Sequence, residues 1–219
     1  MIAGRPAAWR YGLIVLLVGG YAALVHYSNS NPSAKTLGAV LAITPVAAIG
    51  VGLAWRSAYR PAAIAIALFL GALIVTGWRV LESRFSLVYL LEDVMLYGLL
   101  CFAFARSLAQ DRQPLCTYWA SLAHGTLPPV VARYTRKVTA AWAVLFSLIV
   151  ATSTVLYVWA PLQVWSAFAN FLTLPLIVLM FVAEYALRRK VLPSSHRTGL
   201  IRSVRAFLEA SRAARVVRP

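Results

Sequence analysis

Six apolar blocks constrain this chain more than any other feature of it: Tyr11 to Tyr27, Leu37 to Trp55, Pro61 to Trp78, Leu87 to Ala105, Val138 to Trp159, and Val164 to Leu187. Each holds between 17 and 24 residues. At about 1.5 Å per residue, a helix of that length crosses the roughly 30 Å of bilayer hydrocarbon. The reading is an all-α polytopic membrane protein, a bundle of about six transmembrane helices over residues 1–192, followed by a basic amphipathic cytoplasmic tail over residues 193–219. Composition agrees. Of 219 residues, 61% are hydrophobic and 12% are charged, against about 45–50% and about 25% in soluble domains. A soluble globular fold is excluded. The first block follows Arg5 and Arg10 as a signal peptide would, but five more blocks come after it, and it reads as an uncleaved helix.

Charge orients the bundle. The formal net charge is +15, and 18 of the 21 Lys and Arg fall before Tyr11, in Arg56 to Arg60, in Arg106 to Lys137 and from Arg188 onward. The alternate loops hold only Lys35, Arg79 and Arg84. The positive-inside rule then puts both termini in the cytoplasm, and the basic surplus faces an anionic leaflet rather than nucleic acid. Trp9, Trp55, Trp78, Trp159 and Trp165 fall at block ends, where indoles anchor to the membrane interface. Cys101 and Cys116 are too few for a disulfide framework. Ala63, Ala67 and Gly71, and likewise Ala48 and Gly52, recur every four residues and favour close helix packing. Pro45 and Pro175 lie inside spans, where each removes a backbone donor.

Two segments outside the spans read as helices. Pro114 opens and Gly125 closes a stretch carrying Leu115, Tyr118, Trp119 and Leu122, the pattern of a short helix lying on the cytoplasmic membrane surface. After Pro128 and Pro129, one helix runs from Val130 into the fifth span. In the tail, Leu200, Ile201, Val204, Phe207 and Leu208 follow helical spacing, with Arg202, Arg205, Arg212 and Arg215 on other faces. That pattern reads as a basic interfacial helix for anionic lipid or an acidic partner. Arg133, Arg136 and Lys137 extend the basic face.

Chemistry is sparse. Glu92 and Asp93 are the acids well inside a span, and intramembrane ionisable groups are candidates for substrate or proton handling. Tyr89, Asp93 and Tyr97 share a helix face. Arg79 and Arg84, in the adjoining loop, offer the acids a structural pairing instead. Glu184 and Arg188 have the spacing of a helical salt bridge. Thr152, Ser153, Asn170 and Thr173 are intramembrane polar groups of the kind that bond between helices. His26, His124 and His196 fall in three separate places and suggest no catalytic or metal cluster. Pro193-Ser194-Ser195-His196-Arg197 matches only the central piece of a membrane phosphatase signature, and no acyltransferase, hydrolase or nucleotide-binding motif is present. No catalytic residue, metal ligand or cofactor is assigned.

The second half carries a resemblance. Pro114-Leu115, Leu127-Pro128-Pro129, Arg133-Tyr134-Thr135-Arg136-Lys137-Val138-Thr139, Trp142 and Phe146, then Ala160-Pro161, Trp165, Phe168-Ala169-Asn170, Glu184-Tyr185 and Arg188-Arg189 resemble a family of uncharacterised bacterial inner-membrane proteins. Members often accompany acyl carrier protein and ketosynthase genes of aryl-polyene or lipid-pigment pathways. A more distant likeness, through Pro114-Leu115, Trp142-Ala143-Val144 and Trp165, is to the intracellular septation protein family. The resemblance implies a bacterial inner-membrane accessory protein that holds lipid- or pigment-assembly enzymes, or an acidic acyl carrier protein, at the membrane. It supplies no catalytic residue. The alternatives are a small transporter or flippase for a lipid-like substrate, using Glu92 and Asp93, and an enzyme acting on a lipid head group.

Overall fold

The structure, a computed structural model, describes residues 8–56 and 59–191. The tail with Arg202, Arg205, Arg212 and Arg215 lies outside the described residues, as does His196. The fold is all-helical, and no strand occurs among the described residues. In chain order the helices are α1 (Ala8–Ser30), α2 (Lys35–Arg56), α3 (Arg60–Thr76), α4 (Trp78–Ser83), α5 (Phe85–Ser107), α6 (Leu115–His124), α7 (Pro129–Trp159), α8 (Leu162–Ala167) and α9 (Thr173–Val191). Five helical segments are long and apolar enough to cross a membrane: Gly12–Ser30, Pro32–Gly52, Phe85–Ser107, Pro129–Trp159 and Leu162–Val191. They are compatible with a multi-pass membrane protein.

The third apolar block forms a shorter helix than expected. Its apolar stretch, Pro61–Thr76, stops at Gly77, and Trp78 begins the separate α4 rather than ending a span. The Gly77 N–H bonds to Leu73 O at 2.9 Å, which closes α3. The segment read as a loop around Arg79 is therefore helical. By contrast, α6 has the bounds that Pro114 and Gly125 mark, with Gly125 at φ 71°, a backbone conformation that a residue with a Cβ rarely adopts. α7 runs unbroken from Pro129, as the sequence implies.

Prolines leave different traces. Pro45 sits inside α2. Before Pro175 the chain takes a π-helical turn over Phe168–Leu172, where the Thr173 N–H reaches back five residues to Phe168 O. Pro175 has no N–H to offer, and its ring crowds the preceding turn, so a widened turn just upstream relieves the strain.

Contacts group the chain into two units, Met1–Val94 with Ser153–Thr173, and Met95–Thr152 with Leu174–Pro219. In the first, α1 packs against α2 and α8, and α2 against α3 and α4. Its core joins Val25, Ala39, Ala42, Phe85, Tyr89 and Trp165. Gly38 makes room for it, since a Cβ there would come within 2.5 Å of the Phe85 ring. In the second, Phe104, Trp142, Ala143, Phe146 and Ile149 form the centre. Trp142 meets Phe181 at 4.7 Å between ring centroids, and Phe104 meets Phe146 at 5.5 Å. The largest fully buried side chains are Trp165, Ile149, Thr139, Thr173, Ser28, Ser153 and Ser166. Most carry hydroxyls, while Leu, Ile and Val dominate the exposed surface. In a bilayer this inversion is economical, because lipid receives apolar side chains and interior hydroxyls supply hydrogen bonds between helices.

Candidate functional site

Polar side chains converge in the first unit. The last turns of α1 bring His26, Ser28, Asn29 and Ser30, and three of them bond back to the helix: Ser28 Oγ to Val25 O at 2.9 Å, Asn29 Nδ2 to Val25 O at 3.1 Å, and Ser30 Oγ to His26 O at 2.9 Å. These bonds satisfy terminal carbonyls and carry the helix on to Ser30, past the Tyr27 end that hydropathy marks.

Ser166 of α8 is fully buried and sits at a junction. Asn29 Nδ2 donates to its Oγ at 3.3 Å, and Asn170 Nδ2 donates to the same oxygen at 3.2 Å. His26 Nδ1 lies 3.2 Å from it. A hydroxyl oxygen has two lone pairs. The two amide donors are enough to fill both, and the imidazole is the third partner of the same oxygen. The Phe171 ring meets the imidazole edge-on at 5.3 Å. Ser166 is thus a junction of three side chains, His26, Asn29 and Asn170.

A second chain of bonds passes through α7. Trp165 Nε1 donates to Ser153 Oγ at 3.0 Å, and Ser153 Oγ donates to Asp93 Oδ2 at 2.6 Å. Trp165 is 1% exposed. It is thus an interior residue, not the interfacial anchor that its place at a block end suggests; Trp55 and Trp159, at 82% and 78% exposure, keep that character. Nearby, Tyr89 Oη donates to Gly38 O at 3.0 Å, Tyr21 Oη to Leu41 O at 3.1 Å, and Ser86 pairs with Tyr157 at 3.2 Å.

Glu92 stands apart. Its Oε1 is buried and has no hydrogen-bond partner among the described residues. The same holds for Asn29 Oδ1. Arg79 and Arg84 do not form ion pairs with either acid; the ion pair among the described residues is Glu184 with Arg188, where Arg188 Nε donates at 2.8 Å. Glu92, Asp93 and Tyr89 therefore share the first unit with α1 and α8, whereas Tyr97 stacks on Phe146 in the second, at 6.2 Å. Among the described residues no three His, Cys, Asp or Glu side chains gather as a metal set.

The second unit presents cations. Arg106, Arg112, Arg133, Arg136 and Lys137 are all exposed. Arg106 lies over the Phe102 ring at 5.7 Å, and Arg136 Nη2 donates to Leu108 O at 2.8 Å. Below them α6 is fastened by its first amides: Leu115 N–H donates to Ser107 Oγ at 3.1 Å and Cys116 N–H to Thr139 Oγ1 at 3.2 Å. Thr135 gives its proton to Val131 O at 3.0 Å, so Thr117 is the donor in the 2.8 Å Thr117–Thr135 contact. So fastened, α6 leaves Tyr118, Trp119 and Leu122 exposed. Burial pushes the Cys116 thiol up from its ordinary value, partly offset by its hydrogen bond with Thr139.

Comparison with known proteins gives no matching family model, no matching curated protein and no matching solved structure.

Proposed function

We propose that this chain is a bacterial inner-membrane accessory protein with six spans, Pro61–Thr76 supplying the sixth, and with both termini in the cytoplasm. Its basic face, Arg106, Arg112, Arg133, Arg136 and Lys137 together with the tail arginines, holds an acidic cytosolic partner at the anionic leaflet, and α6 lies on that membrane surface. The observation that carries this reading is the exposure of those five cations in one unit, none of them in an ion pair among the described residues. Long-range attraction of this kind raises encounter rates and weakens with salt. The likeness of the second half to inner-membrane proteins found beside acyl carrier protein genes makes an acyl carrier protein or a cytosolic biosynthetic enzyme of envelope lipid or pigment assembly the partner to try. Capture of an acyl carrier protein by the reconstituted full chain should fall steeply between about 50 and about 500 mM salt, where the Debye length shrinks to a few ångströms. Capture unchanged across that range would remove the reading.

A second reading, a small transporter or flippase for a lipid-like substrate, is favoured by Glu92 and Asp93, two intramembrane acids in one unit without an ion-pair partner. Replacing them together by Gln and Asn should abolish translocation by reconstituted protein while leaving membrane insertion intact. Full translocation by that variant would exclude it.

A further inference from the structure

Among the described residues the buried side-chain atoms without a hydrogen-bond partner are Asn29 Oδ1 and Glu92 Oε1. Both are acceptors and both belong to the first unit. What this core lacks is a donor. Asn29 is 6% exposed, and its amide nitrogen is held by Val25 O and Ser166 Oγ, so turning the oxygen away breaks two bonds. Glu92 is partly buried as a residue, while its Oε1 is fully enclosed.

Charge narrows the donor. Glu92 and Asp93 bring two carboxyls into this unit, and neither forms an ion pair among the described residues. Buried carboxylates without a counter-charge are costly, and a cation relieves that cost. The rings of Tyr21, Phe85, Tyr89, Tyr157 and Trp165 pack together in the same unit, and aromatic faces attract organic cations. A hard metal ion instead needs about six oxygen ligands, and no metal-binding group gathers among the described residues. Electron-rich rings, carboxyls and unmet acceptors together describe a receptor for an amine.

We propose that the first unit binds a primary ammonium compound, whose N–H donors supply what Asn29 Oδ1 and Glu92 Oε1 lack. The proposal rests on the transporter reading and names its substrate class. The ammonium is carried either by a lipid headgroup or by a small soluble amine.

The test is ligand-dependent stability of the full chain in mild detergent, with n-butylammonium, tetramethylammonium and sodium chlorides as probes at equal ionic strength. Butylammonium should raise the unfolding midpoint saturably. Tetramethylammonium, which has no N–H, and sodium should act at least roughly tenfold more weakly, the size of a lost charge-assisted hydrogen bond. The Glu92→Gln variant should lose affinity for butylammonium by a similar factor; if it fails to fold, Asn29→Ala removes the other unmet acceptor and serves in its place. Equal responses to all three cations, no saturable response in folded wild type, or unchanged affinity in the variant would each overturn the proposal and leave water as the occupant. Dihexanoyl phosphatidylethanolamine and ethanolamine, compared in the same assay, identify the source, because tighter binding of the lipid means a headgroup site and the reverse means a soluble amine. Saturable amine binding without translocation of either in vesicles would sink the transporter reading while leaving the ammonium site standing.

Discussion

In the first unit two buried hydroxyls bond to side chains of other helices, Ser166 to Asn29 and His26 and Ser153 to Trp165 and Asp93, whereas Ser28 and Thr173 bond to backbone, at Val25 O and Phe168 O. In the second, Ser107 donates to Phe104 O at 2.7 Å and Thr139 to Thr135 O at 2.9 Å, each also accepting an amide of α6, and the Thr117–Thr135 pair adds a side-chain bond between α6 and α7. Tyr134 follows the same rule, donating to Glu184 O at 3.0 Å. The difference has a mechanical meaning. In the second unit, Ser107 and Thr139 tie the backbone amides of α6 to α5 and α7. Side-chain networks can exchange partners when a proton or ligand arrives, and the two unmet acceptors occur in the unit built that way.

The contrast can be broken by substitution, most strongly at its aromatic centre. Trp165→Ala removes a side chain that is 1% exposed and leaves Ser153 without its donor; unfolding in mixed detergent should show a loss of about 3–5 kcal/mol. Gly38→Ala drives a methyl into the Phe85 ring, 2.5 Å from where its Cβ would stand, and should cost about 1–3 kcal/mol in the same assay. Ser153→Ala strands Trp165 Nε1 and Asp93 Oδ2 at once, at about 2 kcal/mol. Thr139→Val in the second unit strands the Cys116 amide and should cost about 1 kcal/mol; a larger loss there than for Ser153→Ala would reverse the comparison. The smallest effect is kinetic. Because burial raises the Cys116 thiol, its thiolate fraction at pH 8 is lower than that of an ordinary cysteine, and maleimide labelling should be slower and keep accelerating to higher pH. Thr139→Val removes a hydrogen bond that lowers the thiol, so it should slow labelling further.

Much of the helical layout was legible because hydrophobic length and terminal signals are local. Pro114 and Gly125 delimit α6, and α7 begins at the second of two prolines. α4 was not legible, since Trp78 reads equally well as the end of a span or the start of a new helix, and only the Gly77 break separates the two. The site was half legible. Glu92 and Asp93 announce themselves by charge, but Asn29 and Ser166 are 137 residues apart, and no periodicity connects positions on different helices. The run Ser28-Asn29-Ser30 behind an apolar block was the available signal. It gave way to the expectation that the first span ends at Tyr27. Arg79 and Arg84 look well placed in sequence to pair with the acids, yet ion pairing is decided by side-chain direction around a helix, which spacing across a glycine break does not carry.

The fastening of α6 has a consequence in time. Its first amide bonds to Ser107, which leaves the ribosome before it, but the second bonds to Thr139, which emerges more than twenty residues after it. Until Thr139 is made, the nascent α6 lacks the partner of its Cys116 amide and has only the Ser107 bond of the two. Both amide bonds of α6 can therefore be in place only after the chain has been made as far as Thr139.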